Sequence, residues 1–274
     1  MIREIIKRFS EFVEFDTHSF LFRIFERNAR RIYNKNYELL DPYLKELLDG
    51  EDERFHYGDI ELIDKASQYV TKTFTIARIL FIQKVIPRWR EKTMADLGDS
   101  NGIFLKALAK TGISLNISET AVKSIYNKNI DVIRADVECL PFRADSVDVV
   151  LLFETFEHVP NPILLMHEIG RICRDSLILS IPSVSKTSIY PSLYDSERPL
   201  HQHHIFEMNH IDFTKIISHT PFRIASDEII TVLDGKGTFF ERIIFLLWHY
   251  FMEREKFCSC FRQFRIYHLK KDRS

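Results

Sequence analysis

A chain of 274 residues, 45% hydrophobic and 28% charged, has the composition of a soluble globular protein and enough length for one large or two modest cores. Its 38 basic and 39 acidic residues leave a net charge of −1, which excludes an overall basic field for holding nucleic acid or an anionic membrane. Four scattered cysteines (Cys139, Cys173, Cys258 and Cys260) with no C-x-x-C pair argue against a zinc or disulfide framework and suit a reducing cytosol.

Residues 1–92 read as an all-helical N-terminal segment. Apolar residues recur at helical spacing, as in Ile2, Ile5, Ile6 and Phe9, then Phe20, Phe22, Ile24 and Phe25. The charged residues between them are unlike a secretory signal. Asp41-Pro42 predicts the start of a short helix, because proline suits the first helical position. Residues 50–53 read as a solvated loop, and a long helix is predicted over 59–86, stopped by Pro87. The segment is expected to pack on the following domain or to form a homodimer contact through its helices. The sharper alternative is a lid or substrate-binding cap.

From Thr93 to the end at residue 274 the pattern becomes α/β. Strands are predicted over 94–97, 113–117, 130–134, 147–153 and 176–181, and helices over 102–110, 118–127 and 162–172. The run V-D-V-V-L-L-F at 147–153 is the most apolar and predicts a central buried strand. A helix over 211–219, a strand over 222–232, a helical insertion near 238–255 and a last strand over 261–269 follow. The two closing strands lack an obligatory crossover and are able to pair antiparallel. The stretch over 239–251 is unusually apolar, as a buried helix or a dimer interface would be, with a membrane-surface contact as the minority alternative. Residues 243–252 contain His249 and are too short to span a bilayer, so no integral membrane segment is expected, and the cytoplasm is the expected location.

The stretch M-A-D-L-G-D-S-N-G (94–102) organises this pattern. A strand runs into two glycines four apart, Gly98 and Gly102, and a helix follows. Strand, tight glycine turn and helix form the ligand-binding corner of an open α/β sheet, where the backbone bends sharply and a ligand approaches closely.

Four segments in order, at 96–102, I-S-L-N-I-S-E-T-A-V, A-D-V-E-C-L-P-F and S-V-D-V-V-L-L-F-E-T-F-E-H-V-P-N-P, resemble the class I S-adenosylmethionine-dependent methyltransferases of the small-molecule, type 11-like kind. The resemblance covers about residues 93–270. It implies an α/β fold with a doubly wound, mostly parallel seven-stranded sheet whose last strand is antiparallel. It also implies S-adenosyl-L-methionine as cofactor. Asp96 would then attract the cofactor's ammonium, and Gly98, Asp99, Ser100, Asn101 and Gly102 would wrap its methionine portion, with the helix N-terminus favouring its carboxylate. Asn116 and Ile117 fall where the ribose is gripped, and Asp136 with Val137 beside the adenine. Glu154 and Thr155 line the edge where the methyl group meets its acceptor, and His158 follows on the same loop.

Two positions depart from the family pattern. Ser100 replaces a middle glycine, which is tolerable at negative φ, and Asn116 replaces the ribose-binding acid. A hydrogen bond to a charged group contributes about 1.5–3 kcal/mol and a neutral one about 0.5–1.5, so the exchange weakens binding about tenfold without abolishing it. Asp96 and Asp136 taken singly could be ordinary strand-end carboxylates, and Glu157 and His158 could simply fix their loop.

His201, His203 and His204 lie in R-P-L-H-Q-H-H-I-F-E, followed by Glu207 and His210. Their spacing matches no standard zinc pattern, so no metal is expected. The resemblance implies instead that this segment closes over the active site. Tyr190 and Tyr194 become candidate substrate contacts, and His158, His203 and His204 candidate general bases for a hydroxyl acceptor. Loop-fixing histidines are the alternative. The whole reads as a methyltransferase acting on a small-molecule or lipid-precursor acceptor. A non-catalytic binding module on the same fold is the rival, and a dinucleotide oxidoreductase is disfavoured by the missing ribose acid.

Overall fold

A computed structural model describes residues 17–50, 65–184, 186–189, 204–231 and 264–272. Tyr190, Tyr194, His201, His203, Cys258, Cys260, the charged loop at 51–53 and the predicted insertion at 238–255 lie outside the described residues, as does the start of the chain.

Seven strands form one sheet: β1 (Thr93–Leu97), β2 (Thr111–Asn116), β3 (Val132–Arg134), β4 (Val147–Phe153), β5 (Cys173–Pro182), β8 (Phe222–Ile230) and β9 (Phe264–Lys271). Their spatial order is β3-β2-β1-β4-β5-β9-β8. The first five are parallel, and β9 runs antiparallel to both β5 and β8. The doubly wound sheet with an antiparallel closing strand is therefore present. The chain moves outward from β1 to β3 and returns to β4 on the other side of β1, so the switch point lies between β1 and β4, where ligands bind such sheets.

Strand periodicity divides the core into two layers. Met94, Val149, Leu151, Ile178 and Ile266 face one way, and Ala95, Val150, Leu152, Leu177 and Leu179 the other. On the second face lie α6 (Pro162–Ile172), started by Asn161 accepting from the Leu164 amide, and α7 (His210–Ile217). On the first face lie α4 (Ile103–Leu108) and the N-terminal helices α1 (Thr17–Tyr37), α2 (Pro42–Gly50) and α3 (Lys65–Val85). Asp41 caps α2 by accepting from the Leu44 amide at 2.9 Å, and α2 buries Leu44, Leu47 and Leu48. Ile76, Ile79 and Ile82 place α3 in the same core as the sheet, and Phe74 meets Phe264 of β9 edge to face at 4.8 Å. The N-terminal helices thus cover one face of the sheet.

Some boundaries differ from expectation for visible reasons. β5 begins three residues before the predicted 176, because the polar residues that hid its start are paired: Arg174 with Asp148 and Asp175 with Lys270. Helix α4 stops at Leu108, two residues early, where Ala109 turns to extended backbone. A short antiparallel pair, β6 (Ser188–Ile189) with β7 (Phe206–Glu207), was not expected. α5 (Glu119–Tyr126) is capped by Ser118 as predicted. No helix among the described residues is long and apolar enough to cross a membrane.

Candidate active site

The site lies where β1 and β4 end. Gly98 has φ +82°, and a Cβ placed on it would lie 2.2 Å from Thr155 Oγ1. Glycine is required there on both counts, because the turn leaving β1 touches the turn leaving β4. Gly102 also has positive φ, +76°, and a Cβ on it would meet Ile130 at 2.3 Å.

Asp99 holds the loop from inside. Its buried carboxylate accepts the backbone N–H groups of Asn101 (3.0 Å) and Gly102 (2.8 Å) and the Ser114 hydroxyl (2.9 Å). Burial raises its pKa, and these hydrogen bonds oppose the rise. Asn101 Oδ1 accepts the Ile103 amide. The amides of Gly102 and Ile103, at the start of α4, are thus bonded to side chains of the loop itself. Asp99 and Asn101 shape the cradle through their side chains, and Ser100 is the half-buried residue between them.

The structure also explains Asn116. Its Nδ2 donates to the Asp99 carbonyl at 2.6 Å, and its Oδ1 accepts the Ser118 amide at 2.7 Å, so one amide ties the glycine turn to the start of α5. A carboxylate could not make the first of these bonds. Ile117 beside it is 64% exposed. Asp136, on the loop after β3, is exposed and accepts the Glu138 amide, and Val137 next to it is half-buried. A bond from the Ala135 amide to the Asn116 carbonyl (3.2 Å) keeps this loop beside the end of β2.

Asp96 lies in β1, next to its final residue. It is 2% exposed, and its Oδ2 has no hydrogen-bond partner among the described residues. Desolvation and the neighbouring Asp99 push its pKa well up, opposed by Arg78. A buried acceptor of this kind suits an ammonium donor.

Arg78, on α3, was not singled out from the sequence. Its Nη2 pairs with Glu154 Oε1 at 2.8 Å, with side chains 4% and 15% exposed, and Glu154 also accepts from Ser180 Oγ at 2.7 Å. The guanidinium lies 5.2 Å from the Phe153 ring and 5.3 Å from the Phe264 ring. Glu154 has φ 48°, a strained value for a residue with a side chain, and the ion pair helps hold it. The signal was one arginine within an apolar helical run, F-T-I-A-R-I-L-F-I, where a lone charge on a buried face requires an inward partner.

A second polar group follows Glu154. A 3-10 turn, Phe156–His158, buries Glu157 and places His158 4.7 Å from the His204 ring, centroid to centroid. His204 Nδ1 lies 2.9 Å from Glu207 Oε1, and its Nε2 lies 3.9 Å from Glu157 Oε1. Of the predicted catalytic histidines, His158 and His204 are brought together.

Residues 95–180 match the family described as Methyltransferase domain. With the sheet order above, this match supports a class I S-adenosylmethionine-dependent methyltransferase domain over that part of the chain. A protein of Mycobacterium tuberculosis described as a probable S-adenosylmethionine-dependent methyltransferase is 24% identical over 140 residues, 49% of this chain and 50% of its own length. A ubiquinone biosynthesis O-methyltransferase of Histophilus somni is 26% identical over 124 residues, 40% of this chain and 52% of its own. The chain thus spans about half the length of the curated relatives it matches. Magnesium protoporphyrin IX methyltransferase from Synechocystis, solved with its cofactor bound, superposes with a TM-score of 0.53 at 13% identity, over 80% of this chain and 89% of that one, a likeness of fold.

Proposed function

We propose that this protein transfers the methyl group of S-adenosylmethionine to a nucleophile, most simply a hydroxyl oxygen, on a small-molecule or lipid-precursor acceptor. The observation that carries the reading is the corner between β1 and β4, where Gly98 packs against Thr155 and the buried Asp96 carboxylate keeps an oxygen without a partner among the described residues. Asp96 would hold the cofactor's ammonium, the turn 98–102 its methionine portion, Asn116 and Ile117 the ribose edge, and Asp136 and Val137 the adenine. When bound, the cofactor supplies an already activated methyl group. The protein's task is then to hold the acceptor in line and to exclude water. Glu154 and Thr155 border that position, with Glu154 fixed by Arg78 and Ser180. A protonated acceptor must lose its proton, and the neighbouring imidazoles of His158 and His204 are the candidate bases. Tyr190, Tyr194 and His203 remain candidate acceptor contacts.

The likeness to an O-methyltransferase of ubiquinone biosynthesis favours a hydroxyl oxygen as the acceptor atom. The free thiols Cys139 and Cys173 accord with a cytoplasmic location, and a homodimer through the helical segments fits the apolar stretch at 239–251. The test is a transfer assay with methyl-labelled cofactor against a panel of phenols, catechols, amines and prenylated phenols. Labelled product from a hydroxylated member supports the proposal. Cofactor binding without transfer to any member favours the non-catalytic module.

A further inference from the structure

We infer that Glu157, His158 and His204 form a binding site for a divalent transition-metal ion of the zinc class, with Glu207 as the outer carboxylate that orients His204. One ligating atom from each of the first three lies within 4.8 Å of the others. Ligands about 2.0–2.2 Å from a common cation are about 3–4 Å apart, and Glu157 Oε1 and His204 Nε2 are separated by 3.9 Å.

The surroundings favour an ion. Glu157 is 1% exposed, and a carboxylate so buried is charged only when paired or ligating a cation. Glu207 is also buried. Donation of the His204 Nδ1 hydrogen to Glu207 at 2.9 Å leaves the Nε2 lone pair facing Glu157, the carboxylate–histidine–metal arrangement that fixes tautomer and ring orientation. The Ile205 amide donates to the Glu157 carbonyl at 2.8 Å, so backbone bonding holds the two segments in register without the ion.

Two histidines and one glutamate leave coordination positions open, as catalytic zinc sites do. The cluster begins three residues after Glu154. On the methyltransferase reading, the two imidazoles then serve as ligands in place of the base role given them above, and an acceptor hydroxyl bound at an open position loses its proton to solvent more readily. Its oxygen pair then forms the new C–O bond as the C–S pair returns to sulfur. The metal assignment itself does not depend on that reading. Spacing within 201–210 hid it, because two of the three ligands come from a turn more than forty residues earlier.

The test is calorimetric titration of chelator-treated full-length protein with zinc chloride, with magnesium chloride as a second arm and the cobalt(II) absorption spectrum as an independent readout. The expected results are saturable, stoichiometric zinc binding, weaker magnesium binding, and a cobalt spectrum of nitrogen–oxygen ligation at reduced coordination number. His158→Ala and His204→Ala should each weaken zinc binding about tenfold or more, and Glu207→Gln by about tenfold, with circular dichroism confirming the fold. Absence of stoichiometric zinc binding to the unmodified protein, an aquo-like cobalt spectrum, or equal affinity in folded variants overturns the assignment. S-adenosylmethionine titrated into the same metal-free protein reports on the methyltransferase reading separately, because none of the ligands is among the residues assigned to the cofactor.

Discussion

Replacing Arg78 by methionine asks how the N-terminal helices and the site depend on each other. The guanidinium is 4% exposed, pairs with Glu154 at 2.8 Å and opposes the raised pKa of Asp96. Methionine fills similar space and keeps the contacts with Phe153 and Phe264, so the lost quantity is charge rather than volume. Removing one partner of a buried pair leaves the other charge uncompensated, at about 3–5 kcal/mol. Ser180 still donates to Glu154, which places Arg78→Met near the lower end, about 3 kcal/mol. In the double variant Arg78→Met/Glu154→Gln no charge remains stranded on Glu154, and stability should return to within about 1–2 kcal/mol of the parent. Urea unfolding followed by circular dichroism, with slopes compared to confirm a common transition, measures both. A loss below about 1 kcal/mol for Arg78→Met, or simple additivity with Glu154→Gln, would refute the reasoning.

Three further outcomes follow from the same geometry. Asp96→Asn removes a carboxylate whose charge is opposed by burial, so stability at neutral pH should rise by about 1–3 kcal/mol in thermal melts while S-adenosylmethionine affinity falls about tenfold or more; a variant that lowers stability or leaves affinity unchanged contradicts the role of Asp96. Asn116→Asp sets a carboxylate oxygen against the Asp99 carbonyl in place of a 2.6 Å donor bond, and should cost about 1–3 kcal/mol despite restoring the family's usual acid; a stabilised variant would show that the amide does not tie the loop. His268, 3.1 Å from Ser176 Oγ, has its pKa lowered to about 4, first by burial and then by Lys270. The unfolded histidine takes up a proton near pH 6.5 and the folded one does not, so stability is level above pH 6.5 and declines between 6.5 and about 4, by roughly 2 kcal/mol after allowance for solvent screening. His268→Gln should flatten that part of the urea-stability profile, and an unchanged profile would exclude His268 as its source.

Much of this was legible in the residues. β4 was readable because V-D-V-V-L-L-F is apolar on both faces, and α6 because Asn161-Pro162 is a local start signal. The glycine turn was readable because a backbone at positive φ leaves a mark in residue type. What escaped depends on distance along the chain. Arg78 and Glu154 are 76 residues apart, and only the folded sheet shows that the N-terminal helices reach the site. The tie from Asn116 to the glycine turn was hidden because its partner is a backbone carbonyl, which no side-chain pattern reveals. The start of β5 was hidden by Arg174 and Asp175, whose charges are neutralised by partners on other elements. The histidines were judged on local spacing, whereas the turn at Phe156–His158 supplies the rest of their cluster.

The measurement that bears most directly on the central claim is calorimetric titration of the full chain with S-adenosylmethionine, S-adenosylhomocysteine and NAD. The site built from Asp96, the Gly98–Gly102 turn and the loops after β2 and β3 predicts about micromolar affinity for the first two and no saturable heat from NAD. No binding of either sulfur compound by the folded protein would contradict the account and leave a fold without its cofactor.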